Sequence, residues 1–355
     1  MSILWEKLAR PFAFGFDAER AHEIGIKSLE MGLASPFYVR DSSFGFGKIE
    51  RFGLKFANPV GLAAGFDKNG VVVNPLVSLG FGFVEVGTVT HRTQPGNPKP
   101  RMFRLPADHG LINRLGFNND GADAVAARLT KLDRRCVVGV NIGKNKEVLN
   151  EDAVQNYLAC LEVVHPVADY IAVNISSPNT PNLRELQKSD SLDELLSGLQ
   201  QKNRELGMKP LLVKIAPDLT EAEIEAAVDV CRKHAVDGMI ATNTTISREG
   251  LKTVRIERFG DGGLSGTPLL KRSNEVISTI YKYTRGELPL IGVGGIFSAE
   301  DAFAKIAAGA SLVQAYTGFV YGGPSFAVDI NRGLSEIFRQ RGFATLDEAV
   351  GSDGR

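Results

Sequence analysis

The chain has 355 residues, 43% of them hydrophobic, with 41 basic and 41 acidic side chains and no formal net charge. It is long enough for one large core, its charge balance argues against a nucleic-acid partner held by bulk electrostatics, and no run of apolar residues is long enough to offer a membrane-spanning helix. The three cysteines, Cys136, Cys160 and Cys231, lie far apart in or beside apolar stretches, the pattern of buried free thiols in a reducing compartment, with neither a disulfide framework nor a metal cluster.

Glu6, Lys7 and Arg10 interrupt the apolar N-terminus, so it lacks the form of a secretory signal. Residues 1–10 predict a short helix with Leu4, Trp5 and Leu8 on one side, and 11–16 (PFAFGF) an aromatic breaker. Asp17 is placed to cap a second helix over 18–33, with Glu19 at its positive end and His22, Ile26, Leu29 and Leu33 on one face; Gly32 and Pro36 mark its end. Segment 44–58, spaced with glycines, predicts a hairpin able to plug a barrel floor.

Eight short apolar, often β-branched runs come next: 59–64 (PVGLAA), 83–88 (FVEVGT), 136–142 (CVVGVNI), 170–176 (YIAVNIS), 211–216 (LLVKIA), 238–243 (GMIATN), 290–295 (LIGVGG) and 312–317 (LVQAYT). This is the pattern of strands buried on both faces. Helical segments at 120–135, 150–168, 191–206, 220–235, 270–285 and 298–309 separate most of them, and the second strand is followed by a long loop. Eight such units in series predict an α/β fold, a closed (β/α)8 TIM barrel over 44–342. A two-helix extension, 1–40, precedes it, and a polar, frayed tail, 343–355, follows.

Barrels of this kind build their active sites at the C-terminal strand ends. Here those ends carry Lys68, Thr88, Asn141, Asn174, Ser177, Lys214, Thr242, Asn243, Gly294, Gly295, Tyr316 and Thr317. Glycines at 262–266 (GGLSG) and 292–295 (GVGG) let backbone N–H groups approach an anion, and the loops after strands seven and eight are the usual phosphate site. Lys214 sits inside an otherwise apolar strand, where an unpaired ammonium is expensive, so it should face an anion. Asparagine is a poor strand former. Asn113, Asn141, Asn174, Asn179 and Asn243, with Thr88, Thr242 and Thr244, therefore look like amide and hydroxyl groups aimed at a planar ligand with alternating donors and acceptors. Ser177 follows the fourth strand with no histidine in any strand-end cluster, which argues against a Ser–His–Asp hydrolase. It fits proton abstraction helped by water or by a neighbouring hydroxyl such as Thr180. From these residues alone, a phosphate-sugar isomerase or a non-catalytic phosphate-binding barrel remains open.

Eleven stretches running through the barrel resemble one family: 61–70 (GLAAGFDKNG), 84–90 (VEVGTVT), 94–105 (QPGNPKPRMFRL), 113–119 (NRLGFNN), 141–144 (NIGK), 174–181 (NISSPNTP), Lys214, 241–245 (ATNTT), 263–266 (GLSG), 291–296 (IGVGGI) and 316–318 (YTG). The chain resembles the dihydroorotate dehydrogenases, and among them the class 2, quinone-dependent, membrane-associated form. The resemblance implies oxidation of dihydroorotate to orotate in pyrimidine synthesis, with FMN as hydride acceptor and a membrane quinone as electron acceptor, at the cytoplasmic face of the bacterial membrane. It implies Ser177 as catalytic base, where soluble class 1 enzymes have cysteine; the alternative, another FMN-dependent barrel oxidoreductase, is opposed by Ser177 and the 1–40 extension. Substrate would be bound by Lys68, Asn113, Arg114, Leu115, Gly116, Phe117, Asn174, Asn179, Asn243 and Thr244. FMN would be bound by Ala64, Gly65, Phe66, Asp67, Lys68, Thr88, Asn141, Asn174, Lys214, Thr242, Gly266, Gly295, Tyr316 and Thr317. His22 and Arg104 are the implied quinone contacts, and residues 1–40 the membrane contact; no metal is implied. The chain departs from the family at His91, Thr93, Leu115 and Ala315.

Overall fold

Runs that can bury both faces need cover on both sides, and each of the eight becomes a strand of one closed barrel. The structure, a computed structural model, describes residues 5–39 and 43–354, so Leu4 lies outside the described residues. In chain order, a π-helical stretch Trp5–Ala9 runs into α1 (Arg10–Phe14) and is followed by α2 (Ala18–Glu30), the hairpin strands β1 (Ile49–Arg51) and β2 (Leu54–Phe56), β3 (Val60–Leu62), α3 (Val73–Ser78) and β4 (Phe83–Val89). Then come β5 (Met102–Leu105), β6 (Gly110–Asn113), α4 (Ala122–Thr130), β7 (Val137–Ile142), α5 (Ala153–Val164), β8 (Tyr170–Asn174), α6 (Ser189–Leu206), β9 (Leu211–Ile215), α7 (Glu221–Lys233) and β10 (Gly238–Ala241). The chain finishes with β11 (Gly263–Gly266), α8 (Leu270–Thr284), β12 (Leu290–Val293), α9 (Ala299–Ala307), β13 (Leu312–Ala315), α10 (Thr317–Gly322), α11 (Phe326–Arg341) and α12 (Leu346–Ala349).

The barrel runs β3-β4-β7-β8-β9-β10-β12-β13 and closes back on β3, each neighbouring pair parallel. Large rings fill it where glycines leave room. A Cβ on Gly61 would lie 2.3 Å from the Phe83 ring, and one on Gly139 would lie 2.0 Å from the Tyr170 ring. The β1–β2 hairpin plugs the floor as expected. Phe56 meets Phe83 edge-on at 5.2 Å, and Phe52 lies where a side chain on Gly238 would be. Helix starts follow their caps: Thr220 with Glu223 and Ser298 with Asp301 form reciprocal capping boxes.

Several expectations fail. The stretch expected to be a breaker, 11–16, mostly continues as α1, because Pro11 sits in the first turn, where its missing N–H costs nothing. Helix α2 is capped by Asp17 as predicted but stops at Glu30, and Leu33 is exposed. The tail beyond residue 342 is not frayed. Thr345 caps α12, Leu346 and Ala349 are buried, and Gly351 lies against Tyr281. The long loop after β4 and the 263–266 glycines pair into an antiparallel sheet, β11-β6-β5.

Candidate active site

A polar layer lies above the ring-filled floor. Glu85 on β4 is fully buried, and its carboxylate accepts hydrogen bonds from Asn141 Nδ2 (2.9 Å), the Tyr170 hydroxyl (3.0 Å) and Gln314 Nε2 (2.9 Å). Lys214 Nζ lies 3.6 Å from it. The anion expected to face Lys214 is thus present within the protein. The network continues towards the mouth: Thr88 Oγ1 donates to Asn141 Oδ1, Asn174 Nδ2 donates to Thr88 Oγ1 (2.9 Å), and Asn243 Nδ2 donates to Asn174 Oδ1 (3.2 Å) and Ser176 Oγ (2.9 Å). Strand ends carrying asparagine satisfy one another here and still present amide edges to the space above.

That space is a cleft with about 1080 Å³ of empty volume, open at its mouth. It brings together most of the residues singled out from the sequence. Lys68, Asn113, Leu115, Gly116, Phe117, Asn174, Ser177, Asn179, Asn243 and Thr244 line it, as do Ala64, Gly65, Thr88, Lys214, Thr242, Gly266, Gly295, Tyr316 and Thr317. Four do not. Asn141 is engaged by Glu85 and Thr88 instead. Asp67 accepts from the N–H groups of Asn69, Val71 and Val72 and so shapes the loop carrying Lys68. The Arg114 guanidinium stacks on Phe103 at 4.7 Å and donates to Asp261 O (2.9 Å). Phe66 turns away, against His22 and Tyr316. The sequence reading missed Glu85, Ser265 and Gln314. Ser265 Oγ lies 2.8 Å from Thr317 Oγ1 in the cleft wall. A glutamate inside the apolar run FVEVGT carries the same signal that flagged Lys214.

Ser177 is buried, and its Oγ accepts from the backbone N–H of Asn179 at 3.2 Å. Asn179 Nδ2 donates to Asn113 Oδ1 at 3.2 Å, tying the serine loop to β6. Arg184 locks the same loop from behind, donating to Ser176 O and Thr244 O (both 3.0 Å) and pairing with Asp218 (2.9 Å). Loss of solvent around the Lys68 ammonium pulls its pKa down to about 8, against an upward pull from Glu19. Thr180 Oγ1 and Gln314 Oε1 are buried without a hydrogen-bond partner.

A second cavity, with about 1180 Å³ of empty volume, lies between the extension and the barrel. Its wall is mainly apolar, with His22 and Arg104 among the lining residues. Met102, Leu111 and Tyr316 line both cavities and form the partition between them. Burial holds the His22 imidazole well below its usual pKa, and the Lys68 charge acts in the same direction. Arg104 sits 4.5 Å over the Phe14 ring and donates to Phe16 O (2.8 Å), so it also ties β5 to the end of α1 and the linker that follows it. Trp5 is in this wall, its indole N–H donating to Tyr321 O at 2.8 Å.

A parallel (β/α)8 barrel with an amide-rich, glycine-ended cleft at its strand ends defines an enzyme of the strand-end-site class. Residues 48–338 match the family model described as dihydroorotate dehydrogenase. The chain belongs to that family. A relative from Gloeobacter violaceus named dihydroorotate dehydrogenase (quinone) is 52% identical over 351 residues, 97% of this chain and 98% of its own length. One of the same name from Anaeromyxobacter dehalogenans is 49% identical over 359 residues, covering 99% and 98%. Among solved structures, ligand-free dihydroorotate dehydrogenase from Eimeria tenella superposes with a TM-score of 0.88 at 40% identity, covering 96% of this chain and 100% of that one. The same Eimeria tenella enzyme in complex with ferulenol gives 0.87 at 40% identity, with 96% of each chain covered.

Proposed function

We propose that this protein oxidises dihydroorotate to orotate in pyrimidine synthesis, with non-covalently held FMN as hydride acceptor and a membrane quinone as the final acceptor. The observation that carries this assignment is the single cleft in which Ser177, Lys68, Lys214 and the strand-end asparagines meet a glycine-lined end. The relatives' names carry the same reaction and acceptor.

The cleft suits FMN. Gly266 (φ +100°), Gly294 (φ +123°) and Gly295 (φ +78°) hold conformations that other residues rarely adopt, so peptide groups rather than side chains line that end. These groups, with the Thr317 hydroxyl, would hold the phosphate. Lys214 and the unpartnered Gln314 Oε1 would meet the polar edge of the ring. Bound there, FMN supplies a two-electron acceptor for hydride. Lys214 would offset the negative charge of the reduced group, an electrostatic contribution strengthened by exclusion of water.

The substrate loses a proton and a hydride from adjacent carbons, and a double bond forms between them. Ser177 Oγ takes the proton, a role contributing about 10²–10⁴-fold. Serine can do this only if its own proton moves on to solvent, through water or a relaying hydroxyl; Thr180, three residues further along the same loop, has a buried hydroxyl with no protein partner and would take one such proton only by passing its own on. Asn113, Asn174, Asn179 and Asn243 pair with the ring amides, and Lys68 with the carboxylate. No cysteine lines the cleft among the described residues, which supports the serine assignment.

The second cavity is the proposed quinone route, with His22 and Arg104 as polar contacts, ending at the Met102–Leu111–Tyr316 partition. Phe12, Ile24, Met31 and Leu33 expose apolar surface on the extension, the composition of a face lying in a lipid surface. No described helix is long and apolar enough to cross a membrane. Attachment at the cytoplasmic face through residues 1–40 follows from this assignment. Acid extraction should release one FMN per chain, and orotate should form faster with quinone than with fumarate or NAD. Recovery of FAD, or a preference for a soluble acceptor, would refute the proposal.

A further inference from the structure

No step above uses the carboxylate of Glu85. Its side chain is 0% exposed and that of Lys214 is 6% exposed. Every polar group facing it is a donor: Asn141 Nδ2 and the Lys214 ammonium on Oε1, the Tyr170 hydroxyl and Gln314 Nε2 on Oε2. A carboxyl group ringed only by donors is an acceptor on both oxygens, which is the ionised form. The barrel centre therefore holds one negative and one positive charge, with no net charge between them.

Such a pair is a poor device for stability, because well-packed apolar residues of similar volume commonly do as well or better. Its geometry points to another use. Lys214 Nζ stands 3.6 Å from Glu85 Oε1, beyond ordinary hydrogen-bond length, and Lys214 also lines the cleft. The ammonium thus keeps protons for a ligand while the carboxylate behind it opposes its field. Gln314 also belongs to both groups, donating to Glu85 and lining the cleft.

We infer that Glu85 is a positioning residue that sets how much of the Lys214 charge reaches the cofactor, and so tunes the reduction potential of bound FMN. This rests on the FMN assignment proposed above. Reduction adds negative charge next to Lys214. The lysine favours that state and Glu85 opposes it, at close range in an interior of low effective dielectric. With Glu85 in place the cofactor is held at a potential from which electrons can leave again. Without it, the reduced state is favoured and the electrons are harder to pass on.

The test is the potential of bound FMN, measured by equilibration with a redox dye, in wild type, Glu85→Gln and Tyr170→Phe. FMN stoichiometry is read first by acid extraction. A wild type without FMN refutes the cofactor assignment itself. With FMN present, Glu85→Gln should favour the reduced form by about ten- to a hundredfold, or about 30–60 mV upward for a two-electron couple. Reoxidation by quinone should slow correspondingly. Tyr170→Phe removes one donor to the same carboxylate and leaves its charge, so its potential should stay close to wild type. An unshifted or lowered potential in Glu85→Gln, or equal shifts in both variants, would overturn the inference, since a purely structural role moves both alike. If Glu85→Gln does not fold, Glu85→Asp keeps the carboxylate but draws it back from Lys214. It should raise the potential, and an unchanged or lowered value would overturn the inference equally.

Discussion

The N-terminal extension is tied to the barrel by one buried ion pair, and Glu19→Gln should expose its weight. Arg101 donates to Glu19 through Nε (3.2 and 3.1 Å) and Nη2 (2.7 Å), and the two side chains are 7% and 8% exposed. Burial pushes the Glu19 carboxyl upward, but Arg101 and Lys99 outweigh it and hold the group below its ordinary value of 4.5. Removing one member of a buried pair costs about 3–5 kcal/mol. Arg101 would keep the carbonyls of Pro95 (2.6 Å) and Asn97 (2.7 Å) and could still donate to the glutamine oxygen. The lower end, about 3 kcal/mol, is therefore expected. For a chain of this size that is a fall in Tm of roughly 4 °C. Because the Glu19 pKa is lowered in the folded state, its contribution is present above the ordinary carboxyl value and is lost as pH falls through the depressed one. Wild type and variant should therefore converge in acid. The effect should also reach the substrate, since Asn97 Nδ2 donates to Arg114 O (3.0 Å) and Asn179 O (3.2 Å). KM for dihydroorotate should rise more than kcat falls. Lys99→Met is the control: Lys99 is 59% exposed, and its pairs with Glu19 and Glu23 are worth at most about 1 kcal/mol. Calorimetric melts at neutral and acid pH decide the matter. A Glu19→Gln variant that melts with wild type, or no lower than Lys99→Met, would show that the pair holds nothing.

Ser177→Ala should keep its FMN and slow cofactor reduction by dihydroorotate about 10²–10⁴-fold, with quinone reoxidation unchanged; Ser177→Cys should retain activity with a shifted pH profile. Stopped-flow reduction at several pH values tests both, and a wild-type rate in the alanine variant removes Ser177 from the mechanism. The Lys68 cation is lost in the free enzyme as pH rises through about 8. Accordingly kcat/KM for dihydroorotate should fall above that pH while kcat, measured with the carboxylate holding the proton in place, falls only at higher pH. Lys68→Met should abolish that limb of the profile. Deleting residues 1–16, which spares Asp17 and Glu19 but removes Phe12 and the Trp5 side of the apolar cavity, should weaken liposome flotation and turnover with long-chain quinone but leave dihydroorotate-driven reduction intact. Normal flotation and quinone turnover in the truncated protein would make this segment a packing cap only.

The eight barrel strands were legible because burial on both faces forces continuous apolar runs, and nothing else in the chain looks like them. Depth along the barrel was not legible. Asn141 and Asn174 both lie near the ends of apolar strands and both point inward, bonding Thr88, yet Asn174 lines the cleft and Asn141 faces the interior carboxylate. Asn141 pairs with Ala172, two residues short of Asn174, and that register between strands sets the depth of each side chain. Asp67 and Arg114 lie in cleft-forming loops, but their side chains serve those loops, an outcome decided by tertiary contacts. The β5-β6-β11 sheet was missed because its strands are four residues each and β11 reads GLSG, a sequence indistinguishable from a turn. Helix α12 was missed because two buried residues, Leu346 and Ala349, anchor an otherwise polar segment.

Trp5 is the chain's one tryptophan. It stands in the wall of the apolar cavity, hydrogen-bonded through its indole and pressed against Gly323. Indole emission from this protein therefore has a single source, and that source sits where the extension meets the barrel. Displacement of water from the cavity, contact with lipid, or release of the extension would each change the polarity around one fluorophore. Its emission wavelength can follow the state of this region without an attached label, in the same cuvette in which absorbance follows the redox state of the cofactor.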